Sequence, residues 1–137
     1  MELELEIRNT KITDYEELKS WWKWHRFPIP SIDLLDNLKY GLIVSFGDEN
    51  ICAGFIYFTN AKAYGMMEFI VSTHKVKNKE IRKNAIEFLI NTIKEIAKSK
   101  GVKYIYSSLR NENLLKHYEI CGFISGSKNT TEVVCKL

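Results

Sequence analysis

The chain has 137 residues, with 20 Lys and Arg against 17 Asp and Glu, for a net charge of +3. That balance is too mild to carry nucleic-acid binding by itself, and 45% hydrophobic with 27% charged residues is the mix of a soluble globular domain, expected to span 1–137 as one core. Cys52, Cys121 and Cys135 are widely spaced with no C-x-x-C pair, which disfavours a disulfide framework or zinc site and fits a reducing, cytoplasmic setting. The acidic, alternating start from Met1 to Glu6 does not suit a signal peptide, and no apolar run reaches membrane-spanning length.

Leu3, Leu5 and Ile7 alternate with Glu2, Glu4, Glu6 and Arg8, the period of a half-buried strand. Thr13 with Glu16 forms a capping box, so a helix is expected from there through Leu18, Trp21 and Trp22 towards His25. Pro28 and Pro30 end it. Ser31 then suits the N-cap of a short second helix carrying Leu34, Leu35 and Leu38 and stopped by Gly41. Leu42 to Phe46, Ile51 to Thr59 and Met66 to Ser72 are expected as an antiparallel meander, with Gly54 marking a bulge or a close backbone approach. From about Lys79 to Lys100 the period changes to that of a helix, ended by Gly101. Val102 to Leu109 follows as a strand, which implies a parallel crossover. Asn111 to Cys121 is the last helix, with strands expected at Phe123 to Ser125 and Thr130 to Leu137. The order β-α-α-β-β-β-α-β-α-β-β describes an α/β chain of the α+β type. It has a mixed, mostly antiparallel twisted sheet of about seven strands, with helices on both faces.

Asn111, Tyr118, Gly122 and Phe123 fall on the pattern N-x-x-A-x-x-x-Y-x-x-x-G-F, with Leu114 in the small apolar position. This resembles the GNAT superfamily of acyl-CoA-dependent N-acetyltransferases, which carry that pattern after their fifth strand. More distantly, the whole chain resembles small phage and bacterial GNAT-like proteins. Their fourth strand often holds an acid-aromatic-I-V-S run, which Glu68-Phe69-Ile70-Val71-Ser72 matches. The resemblance covers nearly the full length and is sharpest from Met66 to Phe123.

It implies a wedge between the fourth and fifth strands in which the backbone of Ile70 and Val71 binds the pantetheine arm of acetyl-CoA. The same residues also suit an ordinary buried strand. The pyrophosphate is expected at the N-terminus of the Lys79–Lys100 helix, where free N–H groups and the helix dipole favour an anion. The family motif there is R/Q-x-x-G-x-G/A, yet no glycine occurs between Val71 and Phe88. Counting back from Leu89-Ile90 sets Asn84 and Ile86 at the glycine positions, or Ala85 after a small shift. Lys75, Lys77, Lys79, Arg82 and Lys83, interrupted by Glu80, supply compensating charge, or simply a solvated basic helix start. Arg82, Lys83, Asn84 and Ala85 are therefore the phosphate-side candidates.

By matched position Tyr118 is the acid that protonates the departing thiolate, its alternative being a core aromatic. Asn111 suits both cofactor binding and an N-cap. Glu68, beside the wedge, is the first choice of base, its alternative a surface or salt-bridged residue; His74 and His25 are runners-up. Trp21, Trp22, Trp24, His25 and Phe27 crowd one segment, and at least one tryptophan is expected to be exposed or to line a cleft. The implied activity is acetyl transfer from acetyl-CoA to a primary amine by direct attack in a ternary complex, without a metal. The alternative is a non-catalytic acyl-CoA-binding or protein-interaction module of the same fold. An RNA substrate reached through Lys75–Lys83 is a minor third. The amine class stays open, as does the choice between monomer and homodimer.

Overall fold

A five-stranded sheet in the order β1-β2-β3-β4-β5 organises the chain in a computed structural model that describes residues 4–137. The strands are β1 (Leu5–Asn9), β2 (Gly41–Phe46), β3 (Glu49–Phe58), β4 (Tyr64–Ser72) and β5 (Tyr104–Tyr106). The helices are α1 (Tyr15–Trp24), α2 (Lys79–Ser99) and α3 (Glu112–Ile120). β1 to β4 pair antiparallel, and β4 pairs β5 in parallel across the α2 crossover. Leu3 of the expected first alternation lies outside the described residues. No helix among the described residues is long and apolar enough to cross a membrane.

The two sheet faces bury separate clusters because strand side chains alternate. On one face α2 lays Ala85, Leu89, Ile90, Ile93 and Ala97 over Leu42, Val44, Cys52, Ile56 and Met67. On the other, Leu18, Trp21 and Trp22 of α1, with Leu35 and Leu38, cover Ile43, Ala53, Phe55 and Val71. Each fully buried Leu or Ile here contributes roughly 1.5–3 kcal/mol. Trp24 is the tryptophan left out, at 55% exposure.

Three expectations are corrected. The start of α1 is set by Asp14 rather than Thr13. Asp14 accepts the Lys11 N–H at 2.7 Å and pairs with both Arg8 guanidinium nitrogens at 2.9 Å, fastening β1 to the turn before the helix. The segment after Ser31 is not a helix of several turns. The Ser31 carbonyl accepts the Leu35 N–H, after which a short 3-10 turn at Asp36–Leu38 runs through positive φ at all three residues. Packing overrides helical periodicity there, because Leu35 and Leu38 are both fully buried.

The third correction concerns the sheet, which has five strands rather than seven among the described residues. β5 spans three residues, and nothing from 123 to 137 forms a strand. Strand propensity needs a partner to pack on. Ile124, Val133 and Val134 are at least 85% exposed, so this tail finds none.

Gly41 opens β2 at a close approach. A Cβ there would lie 2.3 Å from Thr10 Oγ1 and 2.6 Å from Phe55 Cε2. Thr10 is itself pinned, donating from Oγ1 to the Leu38 carbonyl and from its amide to the Gly41 carbonyl. Gly41→Ala is expected to destabilise the chain by about 1–3 kcal/mol, measured as a lower urea midpoint at unchanged slope.

Candidate active site

The site begins with a bulge. Phe55 pairs with Glu68 and Ala53 with Val71, so Gly54 on β3 faces two residues, Phe69 and Ile70, on β4. Phe69 takes up the extra length with φ 60. An added Cβ on Gly54 would meet Ile70 Cγ1 at 3.0 Å and Leu89 Cδ2 at 3.3 Å, so glycine lets Ile70 and α2 close over β3. The glycine expected to mark a bulge or close approach does both.

β4 and β5 pair only at Tyr64, Gly65 and Met66. Past Met66 the strands part, and from Met67 to Ser72 β4 has no strand on that edge among the described residues. Ile70 and Val71 lie on this open stretch while their side chains pack into the two clusters, as the buried-strand reading expects. The Ser72 carbonyl is taken by His25 Nε2 at 2.9 Å, which ties the end of α1 to β4.

Glu68 reaches across the gap. Its Oε1 accepts the Ser108 N–H at 3.0 Å. Burial raises its pKa above the ordinary carboxylate value, opposed by the Ser108 N–H and aided by the negative charge of Glu132. One residue earlier, the Ser107 hydroxyl lies 2.7 Å from the Tyr118 hydroxyl. Tyr118 is 3% exposed, and burial holds its pKa well above that of an ordinary phenol. The Ser107 hydrogen bond opposes this and the charge of Glu68 adds to it. Tyr118 is therefore a neutral O–H at physiological pH. A carboxylate from β4 and a phenol from α3 thus converge on the consecutive serines that follow β5.

α3 is held for that task. Asn111 Oδ1 accepts the Asn113 and Leu114 N–H groups at 2.8 and 3.1 Å, an N-cap that fixes the helix start. His117 Nδ1 lies 2.9 Å from Glu87 on α2, and Lys94 donates to the Cys121 carbonyl. The Tyr118 and Phe123 rings pack at 5.0 Å, joining two of the four matched motif positions.

The basic helix start differs from the sequence register. Asn78 caps α2, its Oδ1 accepting the Glu80 and Ile81 N–H groups at 3.0 and 3.1 Å. Asn84 and Ala85 fall in the second turn, where amides are spent on the helix ladder, and Ala85 is fully buried. In the first turn the Glu80 and Ile81 amides go to the Asn78 side chain and the Arg82 amide to the Asn78 carbonyl. Arg82 Nε is buried without a hydrogen-bond partner, whereas Lys83 is exposed. His74 stacks on Trp24 at 4.9 Å and 3°.

Sequence reading missed Asn78, Ser107, Ser108 and Tyr57. An Asn just before a helical run is a cap signal, and Phe55 with Tyr57 alternates as strand aromatics do. Nothing local marks the serines.

No family model and no curated protein matches the sequence. Among solved structures, N-acetylglutamate synthase from Neisseria gonorrhoeae, complexed with coenzyme A and N-acetyl-glutamate, is similar at TM-score 0.73 and 13% identity. That match covers 96% of this chain and 31% of the synthase, so the chain spans under a third of that protein. Ard1 from Thermoplasma volcanium is similar at TM-score 0.72 and 9% identity, covering 90% of this chain and 84% of Ard1. Aminoglycoside N-acetyltransferase AAC(6')-Iy in complex with CoA is similar at TM-score 0.64 and 16% identity, covering 98% and 97%. The fold is that of the GNAT acetyltransferases.

Because the folded chain raises the Glu68 pKa, its protonated form is the one the fold favours. The stability this contributes is full below the ordinary carboxylate pKa, about pH 4, and is lost as pH rises through the folded value. Glu68→Gln is therefore expected to match the parent chain at low pH and to become the more stable of the two as pH rises. Urea midpoints across the pH range measure this; parallel curves would remove the buried, unpaired carboxylate.

Proposed function

We propose that the protein is an acetyltransferase that moves the acetyl group of acetyl-CoA to a primary amine by direct attack. What carries the reading is the meeting of Glu68 and Tyr118 on Ser108 and Ser107, beside a strand edge left open by the parting of β4 and β5. The fold of the solved neighbours supports it.

The residues present fit acetyl-CoA. The open edge of β4 offers the backbone of Ile70 and Val71 to the pantetheine arm. The orphaned Nε of Arg82, with Lys77 and Lys83, offers positive charge for the phosphates. When bound, acetyl-CoA supplies the thioester carbonyl. Glu68 takes a proton from the incoming ammonium at its carboxylate, leaving the neutral amine to attack. The new C–N bond forms as the C–S bond breaks, the attacking nitrogen loses its second proton to solvent, and the Tyr118 hydroxyl gives its proton to the leaving sulfur. Ser107 is hydrogen-bonded to that hydroxyl and is the group through which Tyr118 recovers a proton. Asn111 acts on this chemistry by holding α3, and hence Tyr118, in place.

One observation favours the second reading, a non-catalytic acyl-CoA-binding or protein-interaction module. The first turn of α2 is already capped by Asn78 and carries Glu80, so an anion must displace a carboxamide beside a like charge.

Release of free CoA thiol from acetyl-CoA, followed over a panel of primary amines, separates the two. Turnover is expected. Tyr118→Phe is expected to lower kcat by about a hundredfold or more with the circular dichroism spectrum unchanged. The acid limb of the kcat/KM profile is expected above the ordinary carboxylate pKa, because burial raises Glu68. The Glu68→Gln variant should lose that limb. Binding of CoA without turnover would leave the non-catalytic module, and unchanged turnover in Tyr118→Phe would remove the acid assigned here.

A further inference from the structure

The α1 side of the sheet is only partly covered. Leu18, Trp21 and Trp22 pack over Ile43, Ala53, Phe55 and Val71, and that cover stops short of β5. Tyr64, Met66, Tyr104 and Tyr106 belong to neither core cluster. Register and alternation fix their position. Phe55 and Tyr57, which pack on the α1 side, pair with Glu68 and Met66. Tyr104 and Tyr106 pair in turn with Tyr64 and Met66, whereas Ile105 between them packs on the α2 side. These four residues therefore form one strip on the same face as Glu68.

The strip is open to solvent. Tyr104 and Tyr106 are 66% and 60% exposed, although large aromatic side chains are mostly buried. The Tyr64 and Tyr106 rings lie 4.9 Å apart at 47°, so tyrosines from neighbouring strands meet at an angle. Both strands carry this pair up to the candidate site. On β4, Met66 stands two residues before Glu68, about 7 Å along the strand. On β5, Tyr106 directly precedes Ser107 and Ser108, which meet Tyr118 and Glu68. Glu68 is the charged member of this face. Lys62 runs along Gly101 at the end of α2, and Lys103, one residue before Tyr104, falls on the α2 side by alternation.

An amine held at Glu68 thus has an uncharged, aromatic surface beside it for the rest of the molecule. An added carboxylate or second ammonium finds no counter-charge on the strip. An aliphatic body gains only from the area it covers, whereas a ring offset-stacked on one tyrosine leans its edge toward the other, which adds the quadrupole attraction. We infer that the acceptor is an arylalkylamine, a primary amine joined to a flat aromatic ring by a short alkyl linker, with its ammonium at Glu68 and its ring against Tyr106 and Tyr64. The inference rests on the acetyl-transfer reading for the fate of the amine, and the bonds and protons that move are those given above. Binding of the ring stands independently of acetyl-CoA.

The test is NMR titration of the full chain, without acetyl-CoA, by 2-phenylethylamine, 2-cyclohexylethylamine and 1,4-diaminobutane, followed by turnover with each. The cyclohexyl compound keeps the apolar bulk and lacks the π-system. 2-Phenylethylamine is expected to shift the Met66, Glu68, Tyr104 and Tyr106 amides saturably and to bind about fivefold more tightly than either other amine. In turnover the same preference is expected in KM, with kcat alike for the phenyl and cyclohexyl compounds. Tyr106→Leu is expected to bring the phenyl-to-cyclohexyl ratio close to one, and Tyr106→Phe to retain it, which a merely structural role for the side chain would not do. Equal binding of the phenyl and cyclohexyl amines, tighter binding of the diamine, a ratio intact in Tyr106→Leu, or strip amides that no amine shifts would each overturn the inference. The comparison of amines on the parent chain decides it even if Tyr106→Leu does not fold. Phenyl-selective binding with no acetyl transfer sustains the strip and removes the transfer reading. Transfer to the phenyl and cyclohexyl amines with equal kcat/KM does the reverse.

Discussion

Phe69 holds a left-handed backbone in the middle of β4 because Gly54, opposite it, has no side chain to resist the extra residue. Most of the site follows from that one irregularity. The bulge lets Glu68 face the α1 side while Ile70 turns over to pack beneath α2, which resets the alternation of the strand. It sits just beyond the last β4–β5 pair, where the two strands part. An unpaired strand edge inside a folded chain is costly unless something satisfies its amides. Beyond Met66 that edge of β4 has no strand partner among the described residues.

Glu68 is the electrostatic link between the two halves of the site. Its charge acts on Tyr118, beyond the gap, and on Tyr57, whose ring packs with Phe55, Phe69 and Tyr40. Both phenols are held neutral chiefly by burial, and the carboxylate between them is held closer to neutral by the same cause. Glu68 accepts the Ser108 N–H, next to the serine whose hydroxyl meets that of Tyr118. Desolvation raises all three groups, which brings Glu68 towards the range useful for a base near neutral pH and takes both phenols further from it.

How much of this was legible in the sequence depended on how local the signal was. The α2 stripe, the meander and the Asn111-to-Phe123 motif are written in periodicity and spacing, and they appear where expected. Gly54 is legible for the same reason, since a lone glycine in an apolar run has few other uses. The phosphate-side candidates Asn84 and Ala85, counted back from Leu89, fall in the second turn of a helix that opens at the Asn78 cap. The segment after Ser31 has helical spacing, but burial of Leu35 and Leu38 decides its path. The tail has strand-forming residues and no edge to join. The two serines carry no local mark at all. Their roles arise from strands that meet only after folding.

The central claim is that the edge opened beside the Phe69 bulge receives acetyl-CoA next to Glu68 and Tyr118. Backbone amide NMR during titration with CoA tests it most directly. The expected result is a set of saturable shifts confined to Glu68–Ser72, Ser107–Asn111 and the first turn of α2, with slowed hydrogen exchange at Ile70 or Val71. Saturating CoA that leaves those amides unmoved, or moves only amides elsewhere on the sheet, would contradict it.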